Sequence, residues 1–242
     1  MEVRASVAMA AYNGARYIKE QIDSILPSLG ENDEIVVSMD PSSDETESIV
    51  SEYAGKDSRI RKVVNEGKHG VVSNFCNAIA NCRGRYIFLC DQDDIWAEDK
   101  ILKVIDRFEK EGAWLVIHDG AIGDAEGKDT GMTLFELTHI STDPWRNFYK
   151  GTYWGCCMAF SAKLVPAILP INPKLRHDLF IGILTGFLKK KIVLINEKLI
   201  IHRIHGDNLT EAGRRSMPLV IADRIRLLFT LITRIIKYGK RV

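Results

Sequence analysis

The stretch YIFLCDQDDIW, residues Tyr86–Trp96, decides how this chain is to be read. Its first half is an unbroken apolar run with aromatic and β-branched residues, the pattern of a strand buried on both faces of a parallel sheet. Its second half sets three aspartates, Asp91, Asp93 and Asp94, at the strand's exit. Carboxylates packed so closely repel one another, and burial raises their pKa values unless something positive neutralises them. A divalent cation does this. Oxygen donors suit Mg2+ or Mn2+, which take one or two carboxylates and leave positions for water and phosphate. An EF-hand loop would need D-x-D-x-D-G; here Ile95 and Trp96 stand at its fifth and sixth positions, which excludes it.

Working outward, apolar β-rich runs alternate with helical periodicity. VRASVAMAAY reads as a first strand, and ARYIKEQIDSIL as a helix with Ile18, Ile22, Ile25 and Leu26 on one face. DEIVVSMD is a second strand. DETESIVSEYAG is a second helix, capped by Ser43 or Asp44 and stopped at Gly55. IRKVVNEG is a third strand, GVVSNFCNAIANCRG a helix ending at Gly84, and RYIFLCD the fourth strand. The alternation predicts an α/β fold with a Rossmann-like, mostly parallel sheet flanked by helices. In such sheets ligands sit at the carboxyl ends of the strands. Three strand ends carry polar clusters that would share one crevice: Tyr12 and Asn13, Asp40 to Asp44, and Asp91 to Asp94.

Beyond residue 100, DKILKVIDRFEKEG reads as a helix and AWLVIHDG as a strand, while residues 119–152 are Gly-rich and irregular. GCCMAFSAKLV returns to order, RHDLFIGILTGFLKK is helical, and KIVLINEKLIIHRIH is one strand or two. Lys and Arg number 33 against 32 Asp and Glu, a balance that excludes nucleic acid as an expected partner. From Arg214 to Val242, however, eight basic residues face one acidic residue, Asp223, in a basic amphipathic helical pattern. Such a helix can lie on anionic lipid or cover a core. The five cysteines lack CxxC spacing, which argues against disulfides and zinc. With no signal-peptide pattern and no apolar run of spanning length, the expected location is the cytoplasm, peripheral at most to the membrane's inner face.

Two other readings of the D-x-D stand beside a metal site that takes phosphate. A haloacid-dehalogenase-type phosphatase uses its first Asp as nucleophile, usually on the first strand of the domain, where this chain carries Tyr12 and Asn13. A solvated acidic turn capping EDKILKVI is the other.

The specific resemblance is to family 2 glycosyltransferases, inverting enzymes of the GT-A fold, including bacterial rhamnosyltransferase-like proteins. VAMAAYNGARYIKEQIDSIL is similar to the family's opening strand and helix. VVSMDPSSDET resembles its V-S-D-D-G-S-x-D-x-T element, with Met39 and Pro41 as departures, and NEGKHGVVSNFCNAIANCRGRYIFLCDQDDIW resembles the segment leading into D-x-D. GCCMAF, RHDLF and IHRIHGDNLT resemble later elements.

The resemblance implies one domain over residues 1–242: a nucleotide-binding half (1–95), an acceptor half (96–213) and the C-terminal helix (214–242). It implies that Asp91 and Asp93 hold Mn2+ or Mg2+ with His205, Asp91 and Gln92 also reaching the nucleotide. Asp40 would recognise the base, and Ala11, Tyr12 and Asn13 would line the nucleotide site. Asp178 would be the general base, and Trp154, His177 and Arg203 would meet acceptor or phosphates. The activity implied is transfer of a sugar from a UDP- or dTDP-linked donor to a glycan or lipid-linked acceptor in cell-surface polysaccharide synthesis. A non-catalytic nucleotide-sugar binder is the remaining alternative. Several residues also have plainer readings: Asn13-Gly14 is a common turn pair, Asp40 can form an Asx turn before Pro41, and an aspartate at a helix start suits the macrodipole.

Overall fold

The computed structural model describes residues 2–206 and 217–239; Asn208, Arg214 and Arg241 lie outside them. The first half builds as strand and helix in alternation: β1 (Ala5–Ala11), α1 (Ile18–Ile25), β2 (Asp33–Met39), α2 (Thr46–Lys56), β3 (Ile60–Val64), α3 (Val71–Asn81) and β4 (Tyr86–Cys90). These strands lie in the order β3-β2-β1-β4, all parallel. β2 and β4 are buried at every residue, which is why β4 is an unbroken apolar run and β2 carries Ile35, Val36 and Val37 in succession; the buried Asp33 and Glu34 that open β2 are paired with Arg4 and Arg61. α1 buries Ile18, Ile22 and Ile25 against the sheet. Gly55, expected to stop α2, lies inside it; the chain leaves the helix at Asp57, whose carboxylate is held by Arg59 at 2.7 Å.

The second half comprises β5 (Ile95–Trp96), α4 (Lys100–Glu111), β6 (Leu115–Gly123), β7 (Asp129–Thr133), α5 (Leu134–Thr138), α6 (Pro144–Lys150), β8 (Met158–Ser161), α7 (Val165–Ile168), α8 (His177–Phe187), β9 (Ile192–Arg203) and α9 (Met217–Tyr238). The sheet continues β4-β8-β6-β9-β5, with β7 on β6. β8 runs antiparallel to both β4 and β6, and β5 and β7 are antiparallel to their neighbours; only β6 and β9 pair parallel. The α/β fold is as expected, but the parallel character is confined to the first four strands and that one pair.

The segment read as irregular is ordered. β6 continues to Gly123 and turns back as β7. α5 then starts on a capping box in which Thr133 and Glu136 bond each other's backbone N–H. The glycines that suggested a loop divide: a Cβ on Gly120 would stand 2.8 Å from the Ile200 side chain of β9, whereas Gly127, Gly131 and Gly151 take positive φ. The tail folds as the predicted helix, and α9 buries Leu227 and Leu231 while packing on α8 and α7.

Candidate active site

Pairing register sets the site. Ala11 of β1 lies opposite Met39 of β2, and Met9 opposite Cys90 of β4, so Tyr12, Asp40 and Asp91 emerge along one edge. The β1 exit is tied to the acidic turn by Gln92, whose Oε1 accepts from the Tyr12 N–H (2.9 Å) while its Nε2 donates to the Tyr12 carbonyl (2.9 Å). Gly14 makes room for this amide: a Cβ there would overlap the Gln92 side chain. Gly14→Ala is therefore expected to cost about 1–3 kcal/mol through overpacking. Urea unfolding measures it, and an unchanged midpoint would mean Gln92 does not hold this position.

Asn13 is a turn residue. Its φ is 45°, its Oδ1 accepts from Ser43 N–H (2.8 Å), and its N–H donates to Ser42 Oγ (3.1 Å). Asp40 is buried with both oxygens engaged, Oδ1 by Asn65 Nδ2 (2.6 Å) and Oδ2 by the Gly70 N–H (2.7 Å). It anchors the 65–70 loop, with each oxygen using one of its two acceptor sites. The carbonyl of Ala11 accepts from Asp40 N–H and Asn74 Nδ2, both at 3.0 Å. Tyr12 is the open member of the group, 55% exposed.

The three aspartates separate into different environments. Asp93 Oδ2 lies 3.0 Å from His205 Nε2. Asp94 is buried; its Oδ1 accepts from His202 Nδ1 (2.8 Å). Burial, then the charges of Asp94 and Asp93, push Asp91 up to about 8. Burial and Asp94 likewise raise Asp93, against the His205 hydrogen bond. Like charges thus meet at the exit of β4 with only partial internal compensation.

Arg203, expected to meet phosphate, is instead buried and committed to the protein. Its Nε donates to the Asp93 carbonyl (3.0 Å), Nη1 to the Ala125 carbonyl (3.0 Å) and Nη2 to Glu20 (2.7 Å), with the guanidinium over Tyr17. A planar five-donor fork suits such a junction of α1, the acidic turn and the β6–β7 hairpin.

Asp178 lies at the start of α8, as its sequence position implied, and is buried. Arg176 Nη2 reaches its Oδ2 at 2.6 Å, and the Leu179 N–H its Oδ1 at 2.7 Å. Burial alone would raise this carboxyl, but the charges of Arg176 and His177 outweigh it and the net shift is downward. Asp178 also lies near enough to act on Asp91 by its charge. His177 stacks on Phe75 (4.2 Å between centroids), and burial lowers its pKa. Trp154 packs beside His202 at 5.2 Å.

Among the described residues one set of donors converges closely enough to hold a metal ion. Asp94, Cys156 and His202 converge within 4.8 Å of one another. In that set His202 Nδ1 lies 2.8 Å from Asp94 Oδ1 and 3.9 Å from Cys156 Sγ, so the imidazole already bridges the other two donors. Of the residues expected at the metal, Asp93 and His205 meet at 3.0 Å, while Asp91 interacts with Asp93 through charge and does not converge with them as that set does; the pair offers a carboxylate and an imidazole, donors that suit a divalent cation. The Asp94–His202 pair and the Glu20 contact of Arg203 were missed from the sequence. The IH repeat in IHRIH was the available signal, but not which of its side chains turns inward.

Comparison with known proteins gives a consistent picture. The family described as "Glycosyl transferase family 2" matches residues 6–169. An uncharacterized glycosyltransferase of Nostoc sp. is 26% identical over 215 residues, covering 85% of this chain and 66% of that protein. TuaG of Bacillus subtilis, provisionally named a teichuronic acid biosynthesis glycosyltransferase, is 32% identical over 101 residues, covering 42% of this chain and 40% of its own length. The chain thus spans under two thirds of these relatives. Among solved structures, S. aureus TarS 1–349 in complex with UDP-GlcNAc superposes with a TM-score of 0.70 at 16% identity, covering 97% of this chain and 73% of that one. Glucosyl-3-phosphoglycerate synthase from Mycobacterium tuberculosis, with Mn2+, UDP and phosphoglyceric acid, gives 0.59 at 21% identity, covering 96% and 78%.

Proposed function

The chain belongs to glycosyl transferase family 2 and has the GT-A fold of its structural neighbours, and from that premise we propose that it is an inverting, metal-dependent glycosyltransferase. Its donor is a UDP- or dTDP-linked sugar, and its acceptor a hydroxyl of a glycan or lipid-linked saccharide in bacterial surface-polysaccharide synthesis. The observation that carries this reading is the undercompensated carboxylate cluster at the β4 exit, beside an imidazole and within electrostatic reach of a second carboxylate at the start of α8.

Asp93, His205 and Asp91 are the residues that would hold Mn2+ or Mg2+. When bound, the dication stabilises negative charge developing on the diphosphate leaving group. Tyr12, open at the β1 exit, offers its ring to the base. Gln92 holds the Tyr12 peptide in place, and Arg203 holds the backbone of Asp93; both are positioning residues. Asp178 takes the proton from the acceptor hydroxyl as that oxygen attacks the sugar carbon from the side opposite the diphosphate, with Arg176 keeping the carboxylate ionised and aimed. His177 and Trp154 are assigned to the acceptor side.

A thermal-shift panel of UDP, dTDP, GDP and their sugars, each with and without Mn2+, tests the reading. Stabilisation by UDP or dTDP only in the presence of the metal is expected. No response to any nucleotide would overturn it.

A further inference from the structure

α9 presents two apolar faces, and the fold uses one. Leu227 and Leu231 are buried against the body. A rotation of 100° per residue sets a second stripe beside them, formed by Ile221, Ile225, Leu228, Phe229, Ile232 and Ile236. All six are exposed, Phe229 at 67% and Ile236 at 78%. Single exposed apolar side chains are ordinary on a surface, but a contiguous stripe along a helix marks a docking face.

Charge decides among occupants. The described helix carries Arg224, Arg226, Arg234 and Lys237 against Asp223. Arg226 pairs with Asp223 at 2.6 Å. Arg224 and Arg234 bond instead to neutral carbonyls, those of Tyr149 (3.2 Å) and of Leu169 and Pro170 (3.0 and 2.6 Å). A second copy laid on this stripe would bring two cationic helices together, whereas an anionic lipid surface offers apolar depth and opposite charge at once.

We propose that the exposed stripe of α9 docks this protein on an anionic lipid surface. The inference deepens the acceptor part of the proposed function, because of where the helix lies. α9 packs on α8, the helix that opens with Asp178, and Arg224 is close enough to Arg176, the Asp178 partner, for the two cations to depress Arg224 after burial does. Docking through α9 would thus hold the helix that carries the candidate base against the same surface-bound element.

Vesicle flotation of the full chain tests this, using phosphatidylcholine alone and an equal mixture of phosphatidylcholine and phosphatidylglycerol. Binding is expected on the mixed vesicles, weakening as salt rises. The triple variant Ile225→Ser/Phe229→Ser/Ile232→Ser should lose about a hundredfold of the binding, since three apolar side chains no longer bury in the lipid. Its exposed positions leave the fold intact, which an unchanged circular dichroism melt would verify. Equal capture on neutral vesicles, no capture on either, or a dimer in sedimentation that the triple variant dissolves would each overturn the proposal, the last by making a second copy the occupant. Nucleotide-dependent melting recorded on the same samples separates the two readings: lipid binding without any nucleotide response upholds the docking face and overturns the transferase assignment.

Discussion

Replacing Asp93 with alanine is expected to lower sugar transfer by about a thousandfold or more, the loss of several kcal/mol of charge stabilisation at the leaving group. The same change should abolish Mn2+-dependent stabilisation by UDP, because it removes both a carboxylate and the atom that orients His205 at 3.0 Å. Asp93→Asn keeps the shape and serves as the control; if it transfers as well as the native chain, the metal assignment is wrong. The pH dependence carries a sign that can be checked. A carboxyl raised to about 8 by burial and neighbouring aspartates holds a proton in the folded state that the unfolded state has already lost. Metal-free stability contributed by Asp91 is therefore greatest near and below the unfolded value of about 4 and falls as pH rises towards 8. Since a bound dication displaces that proton, the melting shift given by Mn2+ should grow between pH 5 and 8. A shift independent of pH would argue that Asp91 is not at the metal.

Asp178→Asn is expected to reduce kcat by about 10^2–10^4, the range for loss of a positioned general base, with KM for the donor nearly unchanged. Its discriminating power lies in the split: donor-dependent melting should survive while turnover disappears. An aspartyl phosphatase acting through Asp91 would be little affected. The folded pKa of Asp178 lies below the ordinary carboxylate value, so its pairing with Arg176 contributes stability above the unfolded pKa and loses it as pH falls through the folded one. The arginine is 44% exposed at its side chain, so screening keeps that contribution small, and Asp178→Asn should still fold at pH 7.

The sequence made the first half legible because strands buried on both faces carry consecutive apolar residues, Ile35 to Val37 in β2 and Tyr86 to Cys90 in β4, and because α1 repeats isoleucine every three or four positions. β5 spans two residues and β7 is almost wholly exposed, so neither has a pattern to read. The direction of β8 was hidden for a different reason: an apolar run looks the same whichever way it is threaded. Lys100 shows the limit of reading by residue class. It opens α4 like a solvated cap, yet it is 1% exposed, with its ammonium 3.6 Å above the Trp96 ring and donating to the Cys156 carbonyl at 3.0 Å. Arg203 misled in the same way, because a cation near an acidic motif reads as a ligand contact until the contacts of its guanidinium are known. The positions of the acidic turn and of Asp178 were legible because each sits at an element boundary, where the strand or helix itself dictates the exit.

The Gln92 amide closes a two-point clasp on a peptide eighty residues earlier in the chain. Loop motion at either exit is thereby geared to the other: if the acidic turn shifts when it takes a cation, the Tyr12 peptide must rotate with it or the clasp must open. Under the proposed function, cation capture at one exit and base stacking at the other would then be mechanically linked through this one amide.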